Sequence, residues 1–176
     1  MIINKDIPNE LDEVSNILNE PQMPYGNYAN NTVGALYGNG SISIEKNNLP
    51  ENKLTSIQKW QLVRNGISKN SLEGLKQMAH LDYDLLAQAL SVTRATLINK
   101  KGKEKFNAAV SEGIVSLADL YSYGYEVFED IDTFNRWMFE PNRALGGELP
   151  YHLLDNQFGR EEVKNIIGRI AYGVYA

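Results

Sequence analysis

LLAQALSVTRATLINKK, residues 85–101, splits into two helical halves around a turn, and its reading decides the fold of the chain. Leu86, Leu90, Val92 and Leu97 fall where two short crossing helices would share a core. Ala87 is small enough to let the second helix cross the first closely, and Thr93 supplies the side-chain oxygen of an N-cap for that second helix. Ser91 stands where such turns usually carry glycine for its positive φ, which predicts a turn that is strained or differently shaped. If Leu97 points into the core, the 100° step per residue directs Ala95 and Asn99 away from it, with Arg94 and Ile98 beside them.

Charge singles out the same segment. The 176 residues carry a formal net charge of −5, yet residues 91–105 set Arg94, Lys100, Lys101, Lys103 and Lys105 against Glu104 alone. A short basic island between acidic flanks is the footprint of a local phosphate-binding element, whereas a broad nucleic-acid surface would make the whole chain basic. Asn99 has the donor and acceptor to pair with adenine, Ala95 can touch only a thymine methyl, and Arg94 can reach guanine or a phosphate. The lysines lack such a directional code and suit phosphates. The expected DNA-binding set is therefore Thr93, Arg94, Ala95, Thr96, Asn99, Lys100, Lys101 and Lys103, presented by a dimer to a palindromic or repeated operator. A plain helical hairpin with a solvated basic end remains the alternative.

Working outward, the chain from Leu54 onward is helical with frequent punctuation and no period-2 run, so the fold class is mainly α. Residues 56–64 predict a helix that buries Ile57, Trp60 and Val63, ended by Asn65-Gly66. Asn70 or Ser71 can cap the next helix, which turns Leu72, Leu75 and Met78 inward. Helices over 82–90, 93–100 and roughly 104–128 follow. Asp130 or Asp132 then caps one bearing Ile131, Phe134, Trp137 and Met138, which Pro141 ends. Pro150 opens a short helix, and Gly159 precedes a last one with Val163, Ile166, Ile167 and Ile170. Residues 1–50 read as an extension rich in Asn and Gly, with a short helix over 11–19. Its Asn39-Gly40 pair signals a β-hairpin turn, making this part a hairpin or a partner-docking arm. The expected division is 1–50, a helix-turn-helix domain at 51–109, and a small helical domain at 110–176.

Composition narrows the chemistry. With no cysteine there is no disulfide, thiol nucleophile or thiolate metal site, and His80 and His152 lack metal-motif spacing. Gly38 and Gly40 are not followed by the Lys-Ser/Thr of a phosphate loop, and no nucleophile-elbow motif occurs. No catalytic residue, metal or cofactor is expected, and an unrecognised carboxylate site is the distant enzyme alternative. No apolar run approaches the about 18 residues of a membrane helix, and acids occupy the N-terminus where a signal peptide would carry lysines. A cytoplasmic protein is expected.

The C-terminal stretch brings a resemblance. Trp137, Pro141-Asn142, Leu145-Gly146-Gly147, Pro150, Leu153-Leu154, Gly159, Val163, Arg169-Ile170 and Gly173 stand in the order of the landmarks of the Xre/MbcA/ParS toxin-binding domain, which residues 110–176 resemble. Ser91, Thr96-Leu97 and Lys100, the last in place of the usual Arg, make the preceding segment similar to the Xre-like helix-turn-helix. The resemblance implies an antitoxin whose partner is a RES-domain toxin that depletes NAD. It further implies that the C-terminal part blocks the toxin's NAD pocket and that the protein represses its own operon. Most landmarks are structural: Trp137 as core, Gly146-Gly147 for positive φ, Gly168 for close contact. Toxin contact is expected from Arg143, from Arg160, Lys164 and Arg169 on the last helix, and from the tail residues Tyr172, Val174, Tyr175 and Ala176. A free-standing transcriptional regulator without a toxin shares the DNA module and is the alternative function.

Overall fold

The computed structural model describes residues 49–173. The expected helix over 11–19 and the hairpin at Asn39-Gly40 lie outside the described residues, as do Val174, Tyr175 and Ala176. Among the described residues the structure is helical and holds no strand; Ser68 and Lys105 form one isolated antiparallel bridge.

Short polar side chains start each helix. A 3₁₀ turn at Glu51–Lys53 leads into α1 (Ser56–Asn65). There the Thr55 hydroxyl accepts from the Gln58 amide and the Gln58 side chain accepts from the Thr55 amide, a reciprocal capping box. α2 (Lys69–Met78) is capped by Ser68, two or three residues ahead of the expected Asn70 or Ser71, where backbone pairing of residues 67–70 with residues 102–106 leaves Ser68 extended just before the helix. Asp82 caps α3 (Tyr83–Ala89) and Thr93 caps α4 (Arg94–Ile98). The long α5 (Ala108–Phe128) begins at the Asn107 cap and not near Glu104. Its expected first turn is instead an extended segment in which the Phe106 amide donates to the Ile67 carbonyl and the Lys69 amide to that of Glu104, both at 2.9 Å, with Phe106 buried. Asp130 caps α6 (Ile131–Trp137), and 3₁₀ turns at Arg143–Leu145 and Pro150–Asp155 precede α7 (Gln157–Ala171), which Asn156 caps.

Among the described residues α5 carries the most buried side chains, and α1, α6 and α7 pack on it. Ile114, Leu117, Ala118, Leu120 and Tyr121 are buried against α1, α6 and α7, and one hydrophobic cluster runs from Ile67 through Leu97 to Ile167. α1 departs from the expected packing. Its face toward the core carries Leu62 and Val63, while Ile57 and Trp60 are 59% and 51% exposed. Lys59 lies on the same side, its ammonium 2.6 Å from the Asp119 carboxylate on α5, so the i, i+3, i+4 stripe of Lys59, Leu62 and Val63 faces inward. Arg64 covers the outward Trp60 ring at 5.0 Å.

Candidate functional site

α3 and α4 meet at the turn Leu90-Ser91-Val92. The Val92 amide donates to the Ala87 carbonyl at 2.9 Å and the Ser91 amide to that of Gln88 at 3.0 Å, the paired bonds of a Schellman ending. Ser91 takes the left-handed position with φ 51, a post that glycine occupies without steric cost. Leu97 is fully buried, and Arg94, Ala95, Thr96, Ile98 and Asn99 are exposed around it. Thr93 spends its hydroxyl on the Thr96 amide, and Arg94 rests 3.2 Å from Asp84 in an exposed ion pair. Asn99 is the C-cap of α4, so its amide sits just past the helix.

The loop beyond α4 is fixed by its backbone. The Asn70 amide donates to the Gly102 carbonyl, and the Lys101 amide to the Glu104 side chain. Lys105 is exposed too, but its ammonium is engaged, 2.8 Å from the Asn65 carbonyl. Lys100, Lys101 and Lys103 have no side-chain partner among the described residues, Lys101 and Lys103 are exposed and Lys100 is half-buried. The buried Lys69 holds the far end of α4: its ammonium donates to the Leu97 carbonyl at 2.9 Å, pairs with Glu73 at 2.9 Å and donates to the Tyr83 hydroxyl.

The second region runs from α6 to α7. Asn142 closes a loop by accepting from the Ala144 amide on its side chain and the Gly147 amide on its carbonyl, while its own amide donates to Glu148. Gly147, at φ 93, makes that closure possible. Phe134 stands at the centre of a ring cluster with Tyr121, Tyr125, Phe128 and Trp137, and Trp137 is half-buried at its edge. Gly159 lies within the first turn of α7 and does not precede it. A Cβ there would come 1.8 Å from the Leu153 carbonyl oxygen, so the close approach of the preceding 3₁₀ turn requires glycine. Gly168, by contrast, has only ordinary contact room toward Tyr123.

The proposed partner-contact residues divide into two kinds. Arg143 and Tyr172 are exposed, Tyr172 at 86%. Tyr172 and Arg169 border a shallow depression with Tyr123, Glu162 and Lys164. Arg169 pairs with Glu162 at 3.0 Å, and Lys164 lies 2.5 Å from Asp119, which thus receives one lysine from α1 and one from α7. Arg160 is half-buried and faces inward: its Nε donates to the Leu154 carbonyl at 2.8 Å and a terminal nitrogen to that of Ala89 at 3.2 Å. Burial pulls the Arg160 pKa below the usual guanidinium value, against the pull of Asp155 and Glu112.

Reasoning on the sequence missed the joint between the two regions. Tyr151 donates to the Leu85 carbonyl at 2.5 Å, Ser91 donates to the Asp155 carbonyl at 2.6 Å, and Arg160 supplies the third contact. Burial, with Asp82 nearby, pushes the Tyr151 phenol pKa up, so it remains a donor. Each acceptor is a main-chain carbonyl, which leaves no trace in residue identity. It also missed the exposed Phe158 at the start of α7, 75% accessible and beside the α7 cap.

Among the described residues no group of three or more His, Asp or Glu is placed to hold a metal ion, and no helix is long and apolar enough to cross a membrane. Two curated proteins illustrate the similarity. Over 74 residues, 42% of this chain and 50% of the relative, it is 36% identical to "Antitoxin Xre" of Photorhabdus laumondii subsp. laumondii, so it spans half of that protein's length. Over 135 residues, 70% of this chain and 84% of the relative, it is 25% identical to the "Prs ADP-ribosylating antitoxin" of a Sphingobium species, strain YBL2. The region from the last turn of α5 to just past α7, residues 124–173, matches the family described as "Antitoxin Xre/MbcA/ParS C-terminal toxin-binding domain".

Proposed function

We propose that the protein is an antitoxin that binds and neutralises a cognate RES-type toxin through its C-terminal region, and that it represses its own operon by binding operator DNA as a homodimer through α3 and α4. The observation that carries the reading is the family match over 124–173, in which Asn142, Gly147 and Gly159 each meet a structural need. The name of the Sphingobium relative couples its antitoxin to ADP-ribosylation, a chemistry that takes ADP-ribose from NAD. An NAD-consuming toxin is the partner that agrees with it.

In this reading neutralisation is steric: the antitoxin does no chemistry and covers the toxin's NAD site. Arg143, Arg169 and Tyr172 offer exposed polar and aromatic contact, Lys164 contributes from beside them, and Val174, Tyr175 and Ala176 extend the same end of the chain. A buried tyrosine anchor carries a large share of binding energy, while rim charges chiefly steer encounter. On the DNA side, Arg94, Ala95 and Asn99 would face base edges, Thr93 and Thr96 the adjoining backbone, and Lys100, Lys101 and Lys103 the phosphates.

Co-expression with the neighbouring open reading frame tests this. The expected result is a stable complex, growth arrest and NAD loss when the neighbour is expressed alone, and recovery when this chain is present. A neighbour that is harmless alone and forms no complex would leave a free-standing regulator.

A further inference from the structure

We propose that Ser91 and Arg160 are positioning residues for α4, so that the C-terminal region completes the turn that presents the DNA-reading helix; this rests on the reading of α3 and α4 as a DNA-binding pair. Three independent side chains reach across the joint, and two of them act on the turn itself. Arg160 takes the Ala89 carbonyl, one of the carbonyls that the last turn of α3 leaves without a helical partner. Ser91, the residue that reverses the chain between α3 and α4, gives its hydroxyl proton to Asp155. Tyr151 secures the body of α3 through Leu85.

Ser91 is the informative position. A left-handed φ of 51 disfavours any side chain, and glycine would relieve it. Serine therefore costs backbone energy there, and its hydroxyl has one strong contact to offset the cost, the 2.6 Å bond to Asp155. That carbonyl lies one residue before the Asn156 cap of α7, and the Arg160 guanidinium reaches back from the first turn of α7 to Leu154 and Ala89. The angle between α3 and α4 is thus referenced to the N-terminus of α7. Asp155 and Glu112 are the carboxylates whose fields reach the guanidinium, and both favour its charged form.

The test uses the full chain, its S91G, R160M and K101A variants, and a labelled DNA fragment from immediately upstream of its own gene. Thermal melting and operator affinity across a salt series are measured together. S91G is expected to melt close to wild type, because relief of the strain offsets loss of the bond to Asp155, and yet to bind the operator about tenfold more weakly with an unchanged salt slope. A residue needed only for folding would move the two readouts in the same direction. R160M is expected to bind more weakly as well, and S91G decides the matter if R160M fails to fold. Wild-type operator affinity in S91G overturns the positioning role while K101A still reports DNA binding. Failure of wild type itself to bind the fragment in low salt removes the DNA reading, and the inference with it.

Discussion

The Lys69 ammonium donates to the main-chain carbonyl of Leu97 at 2.9 Å, tying the buried end of α2 to the last turn of α4. A cation at the C-terminal end of a helix satisfies a carbonyl that has no helical donor and meets the negative end of the peptide dipoles. Lys69 is itself buried, and its charge is balanced by Glu73 with help from the Tyr83 hydroxyl and ring. α4 is five residues long and would not persist alone, so its position depends on such contacts.

Lys69→Met should accordingly keep the apolar stem and remove the tether. The Leu97 carbonyl is left without its donor and Glu73 without its partner, which predicts a destabilisation of about 1–3 kcal/mol. Urea unfolding measures it. A variant as stable as wild type would show that water replaces the ammonium at no cost.

Gly124→Ala should be damaging for a different reason. A Cβ at this position on α5 would stand 2.2 Å from two carbons of the Phe134 ring, and that ring is confined by Tyr121, Tyr125, Phe128 and Trp137. Overpacking of this kind costs about 3 kcal/mol, against a gain of about 1 kcal/mol in helix propensity. The double variant G124A/F134L should recover part of the loss in denaturant unfolding, and no recovery would place the clash elsewhere.

How far the sequence disclosed this structure follows from where the signal resides. Thr93, and Asp130 of the pair Asp130 and Asp132, cap their helices in a register that the sequence suggests, because short oxygen-bearing side chains before an apolar period have few other uses. Asn70 and Ser71 are the expected caps of α2, and Ser68 takes that post instead, beside the pairing with residues 102–106, which is a tertiary event. On α1 Val63 is turned inward as expected but Ile57 and Trp60 are not, since the inward stripe is Lys59, Leu62 and Val63, and the Asp119 that meets Lys59 lies 60 positions away. The outward set around Leu97 was legible from the helical step. The joint through Leu85, Ala89 and Asp155 was not, because carbonyl acceptors are the same at every residue.

Tyr121→Phe should be neutral or stabilising, by up to about 1 kcal/mol. The Tyr121 hydroxyl is buried without a hydrogen-bond partner among the described residues, and burial raises its pKa well above the ordinary phenol value, so it sits there neutral. Removing an unpaired polar atom removes its desolvation cost while the ring contacts with Tyr125 and Phe134 remain. A clear loss of stability by calorimetry would mean that the hydroxyl is bonded, most simply to a buried water.

The Asp130 cap predicts a pH effect with a definite sign. Hydrogen bonds from the Thr133 hydroxyl and amide hold its carboxyl pKa below the ordinary value, with Arg136 adding to the shift. A depressed folded-state pKa contributes stability that is present above the unfolded value of about 3.9 and lost as pH falls through the folded one. Asp130→Asn keeps a capping oxygen and removes the titration. Its stability should therefore decline less steeply than that of wild type below about pH 4, and parallel acid-unfolding curves would contradict the assignment.

The lysines after α4 separate DNA binding from folding, because their ammonium groups are in different states. Lys101 and Lys103 are exposed and have no partner among the described residues, whereas Lys105 is already bound to the Asn65 carbonyl. Each phosphate deprived of its lysine should shallow the dependence of log affinity on log salt by about 0.9. Lys101→Ala and Lys103→Ala are therefore each expected to shallow the slope by that amount and to weaken binding alike on operator and unrelated DNA. Lys105→Ala should change the slope little and lower stability by removing the bond to Asn65. Asn99→Ala should behave differently again. A base contact carries sequence information and little charge, so this variant should keep the slope and relax discrimination at one base pair, by about 1–3 kcal/mol. Fluorescence anisotropy on the operator and on single-base variants distinguishes the three patterns. Equal slopes in wild type and in the Lys101 and Lys103 variants would assign the basic segment to solvent, even if the chain binds DNA through another face.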